Sequence, residues 1–241
     1  MKYRLSILLV LVIFLFSACS NEAANVNPEN SDKENLGQTE TQVLEVVPPT
    51  NANEHEARDF YYIICSDGTI EITKYVGNDS SIDIPSTLDG HVVGKISNSA
   101  FENNSKLEKV YIYGGAIGDF AFKNCSNLTF LWISDKVTSV GISAYENCTS
   151  LKDVYIGGGD IGVNAFKNCT SLEKIDLYGG TIGEFAFADC ANLSYLWVSS
   201  DVISIGAAAF ENCTSLEEIY INSSETAIDP TAFNNCPGFE G

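Results

Sequence analysis

From residue 96 the chain repeats itself. Seven units begin at Ile96, Ile117, Val140, Ile161, Ile182, Ile205 and Ile228, spaced by 21, 23, 21, 21, 23 and 23 residues. Most follow the pattern I-G-x-x-A-F-x-N-C-x-x-L-x-x-V-x-I, and the last stops early with Phe239 in the leucine slot. Such a period means a stack of small units, because no single unit can cover its own apolar surface. Leu107, Val110 and Ile112 give one apolar side of a short strand, while Ala100 and Phe101 give an apolar turn. Stacking lines the strands up as a parallel sheet at about 4.8 Å per coil, so seven coils make a body roughly 35 Å long. Glycines such as Gly114, Gly115, Gly179 and Gly180 mark where the chain leaves each strand. A longer echo lies over the short one: YGGAIGDFAFKNCSNLTFLW returns 65 residues later as YGGTIGEFAFADCANLSYLW, as expected if a block of three units was duplicated.

Over residues 96–239 this pattern closely resembles the BspA-like class of bacterial leucine-rich repeats. The resemblance implies an α/β leucine-rich-repeat solenoid, with a parallel β-sheet on one face and short helical or 3-10 turns on the other. The stretch before it, FYYIICSDGTIEITKYVGNDSSIDIPSTLDGHVVGKI, also looks like the lead-in of that family. Ser66, Asp67, Gly68 and Thr69 read as a hairpin turn between two alternating strands, and Ile82-Asp83-Ile84-Pro85 as a strand ended by proline. Residues 59–95 are therefore expected to form an N-terminal β-hairpin cap on a solenoid spanning 96–241. At the far end Pro230 and Pro237 discourage further pairing, but little polar structure covers the last coil, so fraying or end-to-end association is expected there.

Ahead of the cap, MKYR and then LSILLVLVIFLF fit the basic start and apolar run of a signal peptide, too short for a comfortable membrane span. Phe16-Ser17-Ala18-Cys19 resembles the lipobox of bacterial lipoproteins, with Leu15 one place early. That resemblance implies a leader over residues 1–18, lipidation of Cys19 and a membrane lipoprotein on the cell surface; an ordinary secretory signal is the alternative. Between Ser20 and Arg58 there is no Phe, Tyr or Trp, so residues 19–58 cannot bury enough apolar area to offset their ordering entropy and read as a disordered tether. Without Lys2 and Arg4, 11 basic side chains face 32 acidic ones, a formal charge of −21. A polyanion repels nucleic acid and anionic headgroups, so membrane contact is expected through the lipid alone.

Cys125, Cys148, Cys169, Cys190, Cys213 and Cys236 occupy one slot of successive units. Metal sites want paired ligands two to four residues apart, and the nearest of these are 21 apart, with only His55 and His91 to help. Neighbouring coils bring equivalent Cα atoms into disulfide range, but in a ladder the Cβ vectors run parallel, so a column of buried free thiols is the expectation. Asn103, Asn124, Asn147, Asn168, Asn212 and Asn235, beside them, read as turn residues bonding backbone groups left open between coils. No metal and no cofactor is implied.

Nor does any catalytic constellation stand out. There is no Gly-x-Ser-x-Gly and no phosphate-cradling loop, and the adjacent Glu217 and Glu218 of a strand point to opposite faces. What the pattern does offer is a surface. If the first, fourth and sixth positions of L-x-x-V-x-I point inward, the third, fifth and seventh point out. The fifth position then reads Tyr111, Trp132, Tyr155, Asp176, Trp197 and Tyr220; the third adds Phe130 and Tyr195, and the seventh Tyr113 and Tyr178. Aromatics suit a pleated sheet without further purpose, yet exposed patches of this size tend to bind. Lys109, Lys174, Asp153, Asp176 and Glu218 interleave them with charge. The expectation is a non-enzymatic adhesion or protein-binding module, whose family resemblance implies a host matrix or bacterial surface protein as partner. Capture of a glycan is the alternative, and a purely structural envelope role a weaker third.

Overall fold

A computed structural model describes residues 59–239. The expected leader over 1–18, the tether over 19–58 and lipidation of Cys19 lie outside the described residues. The lead-in forms β1 (Phe60–Ile64), β2 (Ile70–Tyr75), β3 (Ser81–Ile84), β4 (Thr87–Leu88) and β5 (His91–Ile96). The repeats then alternate a strand from L-x-x-V-x-I with a second, shorter one. These are β6 (Lys109–Ile112), β7 (Gly115–Ile117), β8 (Phe130–Ile133), β9 (Val137–Val140), β10 (Asp153–Ile156) and β11 (Asp160–Ile161). They continue as β12 (Lys174–Leu177), β13 (Gly180–Ile182), β14 (Tyr195–Val198), β15 (Val202–Ile205), β16 (Glu218–Ile221) and β17 (Ala227–Ile228).

Two sheets result. The L-x-x-V-x-I strands join β3 in a seven-stranded parallel sheet of order β16-β14-β12-β10-β8-β6-β3. The short strands build the second, β1-β2-β5-β7-β9-β11-β13-β15-β17, parallel except where β1 pairs with β2 and β4 with β5. The opening residues of six units, Ile96, Ile117, Val140, Ile161, Ile182 and Ile205, are inward-pointing ends of these short strands, each buried against its neighbours. This second sheet corrects the expectation of one sheet opposed by helical turns. Entry into it turns on glycine: Gly180 has φ +78°, and a Cβ there would overlap the Gly159 carbonyl.

The third side carries no helix among the described residues, only stacked turns. Left-handed residues four apart interrupt the first six segments, as at Phe120 (φ 58°) and Asn124 (φ 61°), and Asn235 alone the last. Alternate amides also leave the coil. Those of Phe120, Phe122 and Asn124 donate to Ile142, Ala144 and Glu146 carbonyls of the next coil at 2.7–2.9 Å, whereas Ala121, Lys123 and Cys125 donate back to their own. A helix would consume every amide within its segment and leave adjacent coils unbonded, so the stack favours turns. Phe120 and Phe185 hold aromatic side chains at positive φ, a strained choice repeated 65 residues apart.

The asparagines set this geometry. Asn103, Asn124, Asn147, Asn168, Asn212 and Asn235 all lie at φ 60–62°, a region Asn tolerates better than other side chains. The expectation that their side chains bond open backbone is corrected, for they bond one another: Asn147 Nδ2 donates to Asn124 Oδ1 at 3.0 Å and Asn168 Nδ2 to Asn147 Oδ1 at 2.7 Å. Asp189 takes the slot in the next unit; as an acceptor only, it receives Asn212 and starts the ladder afresh. Beside it the six thiols are free and buried. Each donates to the backbone carbonyl of the ring residue one coil before, from Cys125 on Phe101 (3.2 Å) to Cys236 on Phe210 (3.0 Å). These sulfurs fill space and add a second hydrogen bond to carbonyls that mostly accept their own turn's amide already, as Phe122 accepts that of Cys125.

Between the sheets and turns runs a single core. Its spine is a file of rings, Phe101, Phe122, Tyr145, Phe166, Phe187, Phe210 and Phe233, stacked at 4.5–5.1 Å and within 12° of parallel. At the N-terminal end Tyr75 and Phe60 continue it. Each such pair adds about 0.5–1.5 kcal/mol beyond its buried area.

Candidate binding face

The strand frame of the larger repeat sheet sets which side chains look outward. Leu128, Leu131 and Ile133 are buried completely, as are their counterparts in most coils, while the residues between them face away. In-register pairing then carries Asp83, Tyr111, Trp132, Tyr155, Asp176, Trp197 and Tyr220 across the sheet in one row. Phe130 and Tyr195 flank that row on one side, Tyr113 and Tyr178 on the other. All ten residues named from the sequence thus lie on one face.

The rings touch. Tyr113 meets Trp132 at 5.2 Å, Trp132 stacks on Tyr155 at 6.0 Å and 10°, Tyr155 meets Tyr178 at 4.8 Å, and Tyr178 meets Trp197 at 4.7 Å. The path steps around Asp176, which interrupts the central row; Tyr178 from the seventh position bridges the gap. Tyr111 with Phe130 and Tyr195 with Tyr220 form shorter pairs beside it. Both tryptophans are half-buried by these neighbours, while Tyr113 (39%) and Tyr220 (48%) stand further out.

Charge is concentrated at the break in the row. Lys174 Nζ lies 3.1 Å from Asp176 and 5.1 Å from the Tyr195 ring centre, joining an ion pair to a cation–π contact. The hydrogen bond to Asp176 raises the Lys174 pKa. Burial, then Tyr178, Asp176 and Asp135, raise the Tyr155 phenol; burial, then Asp83 and Tyr111, raise that of Tyr113. Those hydroxyls therefore stay protonated as hydrogen-bond donors. The arrangement brings aromatic area, phenolic donors and an ion pair together on one face.

Two surface features were not anticipated. Phe120 (38% exposed), Ile142 (46%) and Val163 (37%) form an apolar strip along the start of the turn side. They fall at irregular places in the repeat, two at one position and Phe120 at the next, so no column in the sequence announces them. The other feature is a groove at the N-terminal end of the turns, lined by residues from 73–78 and 99–106.

Residues 59–173 and 115–240 match the BspA type leucine rich repeat region in six copies. Among solved structures the chain is similar to a leucine rich repeat protein of T. pallidum at 27% identity, with a TM-score of 0.67 over 78% of this chain and 91% of that one. It is similar to a leucine rich cell surface protein of Faecalibacterium prausnitzii at 28% identity, with a TM-score of 0.59 over 80% of this chain and 53% of that one. A leucine-rich repeat protein of Eubacterium ventriosum shares the fold at 24% identity and a TM-score of 0.62, covering 77% of this chain and 52% of that one. The chain thus spans about half the length of those last two proteins. No curated protein matches it. The repeat match covers well over half of the sequence, through both sheets and the turns between them, and the chain belongs to the BspA type leucine-rich-repeat family.

Proposed function

We propose that this is a cell-surface protein, anchored through a lipid on Cys19, that binds a protein partner with the aromatic face of its larger repeat sheet. The observation that carries the reading is the run of rings from Tyr113 to Trp197, five side chains in continuous contact on an outward face. Cross-strand pairing alone rewards each pair by about 0.2–1 kcal/mol and does not require five in a row. Interfaces are enriched in Tyr and Trp because such rings bring large area at low conformational cost. The description of the F. prausnitzii protein as a cell surface protein supports an extracytoplasmic location.

A protein partner fits better than a glycan. A sugar ring stacks on a free aromatic face, whereas Trp132 and Tyr155 stack on each other at 10°, and the other rings of the run meet tilted at 38–52°. The pair of Lys174 and Asp176 adds charge among the rings, a group that meets side chains and backbone. Residues 19–58 would hold this face off the membrane.

Surface plasmon resonance against host matrix proteins, bacterial surface proteins and glycans tests the reading with Trp132→Ser and Trp197→Ser variants. A hot-spot ring costs about 2 kcal/mol or more on truncation, about a thirtyfold weaker Kd. Binding of a protein by the native chain that both variants weaken to that degree supports the proposal; binding untouched by either substitution refutes it. Mass spectrometry of the mature N-terminus tests the anchor, which requires a diacylglyceryl group on Cys19.

A further inference from the structure

The groove at the N-terminal end exists because the lead-in takes a short cut. Ile72 pairs with Ile96 and Ser81 with Lys109, so the eight residues 73–80 cover the path that the twelve residues 97–108 cover in the next coil. Tyr75 replaces the missing core ring and stacks on Phe101 at 5.6 Å, but no turn segment follows it outside. An open groove of about 570 Å³ is left between the short cut and the first full turn.

The backbone facing this groove is unfinished. In later coils the equivalent carbonyls, such as Ala121 and Lys123, accept amides of the preceding coil at 2.8 Å. The carbonyls of Ala100 and Glu102 accept no hydrogen bond from any described residue. They are two residues apart, the spacing at which an extended strand presents successive amides on one side. Around them lie Val76, 42% exposed, and the cations Lys74 and Lys106 against the single carboxylate of Glu102. With the Asp59 carboxylate lying against Gly77 at its edge, the groove is near neutral on a chain of net charge −19, and its two lysines are where an acidic segment can be met.

We propose that residues 41–47 of this chain, TQVLEVV, dock in the groove as an extended segment and donate amides to the Ala100 and Glu102 carbonyls. Three observations select this occupant. The stretch is the densest apolar run between residues 20 and 58; extended, it puts Leu44 and Val46 on one side and Val43, Glu45 and Val47 on the other. Glu40 and Glu45 bring negative charge to the two lysines, and Pro48-Pro49 ends the pairing at once. The described chain also begins beside the groove, for the Asp59 carbonyl accepts the amide of Val76 at 2.8 Å. The eleven residues from 48 to 58 reach roughly 36–40 Å when extended, ample to turn back into it. Docking finishes the first coil with a segment from outside the repeats and shortens the free tether to residues 19–40. It does not depend on the binding role proposed above.

Hydrogen exchange with mass spectrometry on the full chain tests this. Amides of residues 43–47 should exchange at least about tenfold more slowly than those of residues 22–36 in the same molecule. The double variant Leu44→Asp, Val46→Asp should abolish that protection and leave the solenoid strands unchanged, since both sites lie outside them. Equal exchange in the two stretches overturns the proposal, as does protection that survives the double variant. Protection that vanishes on dilution means a second copy's segment fills the groove, and overturns the intramolecular form.

Discussion

Replacing Tyr145 by phenylalanine should stabilise this protein. The residue is completely buried in the ring file, 5.0 Å from Phe122 and 4.9 Å from Phe166, both within 7° of parallel. Phenylalanine holds the same slot in the other six units, at Phe101, Phe122, Phe166, Phe187, Phe210 and Phe233. The tyrosine hydroxyl has no hydrogen-bond partner among the described residues. Leaving such a group dry costs about 1–3 kcal/mol, and the substitution removes that cost while keeping the ring. For a domain of this size each kcal/mol moves Tm by about 2–4 °C. Chemical denaturation followed by circular dichroism should show a higher midpoint with an unchanged slope. The mirror experiment is Phe166→Tyr, which places a second hydroxyl in the same file and should lower the midpoint comparably. A neutral or destabilising Tyr145→Phe would mean that the hydroxyl is satisfied in solution, and the reasoning from an unpaired group would fail.

Other consequences follow from the turns and the thiol column. Burial raises the Cys148, Cys169 and Cys190 pKa values, and hydrogen bonds from the neighbouring thiol, with burial, raise those of Cys213 and Cys236. With folded values above the unfolded one near 8.5, stability is complete below that pH and falls as pH rises, by about 1.4 kcal/mol per pH unit for each thiol that ionises only on unfolding. Denaturant midpoints should therefore drop steeply between about pH 8.5 and 10.5, and less so in a Cys169→Ala, Cys190→Ala variant. Gly180→Ala forces a Cβ against the Gly159 carbonyl at positive φ and should cost about 1–3 kcal/mol, read from the same midpoints. Asn147→Ala loses two ladder bonds and the left-handed preference together, for about 2–4 kcal/mol, whereas Asn147→Gly keeps the backbone and should cost visibly less.

The L-x-x-V-x-I strand was legible because its period of two sorts residues cleanly: Leu131 and Ile133 go in, Phe130 and Trp132 come out. The same frame put the aromatic row on one face. The second sheet was not legible, since strands as short as β11 and β17, two residues each, leave no alternation to read. The A-F-x-N-C segment read only as an apolar turn, and the helical or 3-10 form was implied by the family resemblance. The property that decides against a helix is the positive φ of its asparagine, which emerges only when neighbouring coils claim the amides. The groove was invisible for a related reason, as it arises from a four-residue shortfall that only the pairing register exposes.

The central claim is that Trp132 and Trp197 form part of an outward surface that a protein partner covers. Iodide and acrylamide quenching of the chain's tryptophan emission, before and after addition of matrix proteins or glycans, tests it most directly. The account predicts emission that both quenchers reach and that a bound protein shields, with little change from glycans. Blue-shifted emission that neither quencher reaches would contradict it, because the two tryptophans would then be core and the proposed face would not exist.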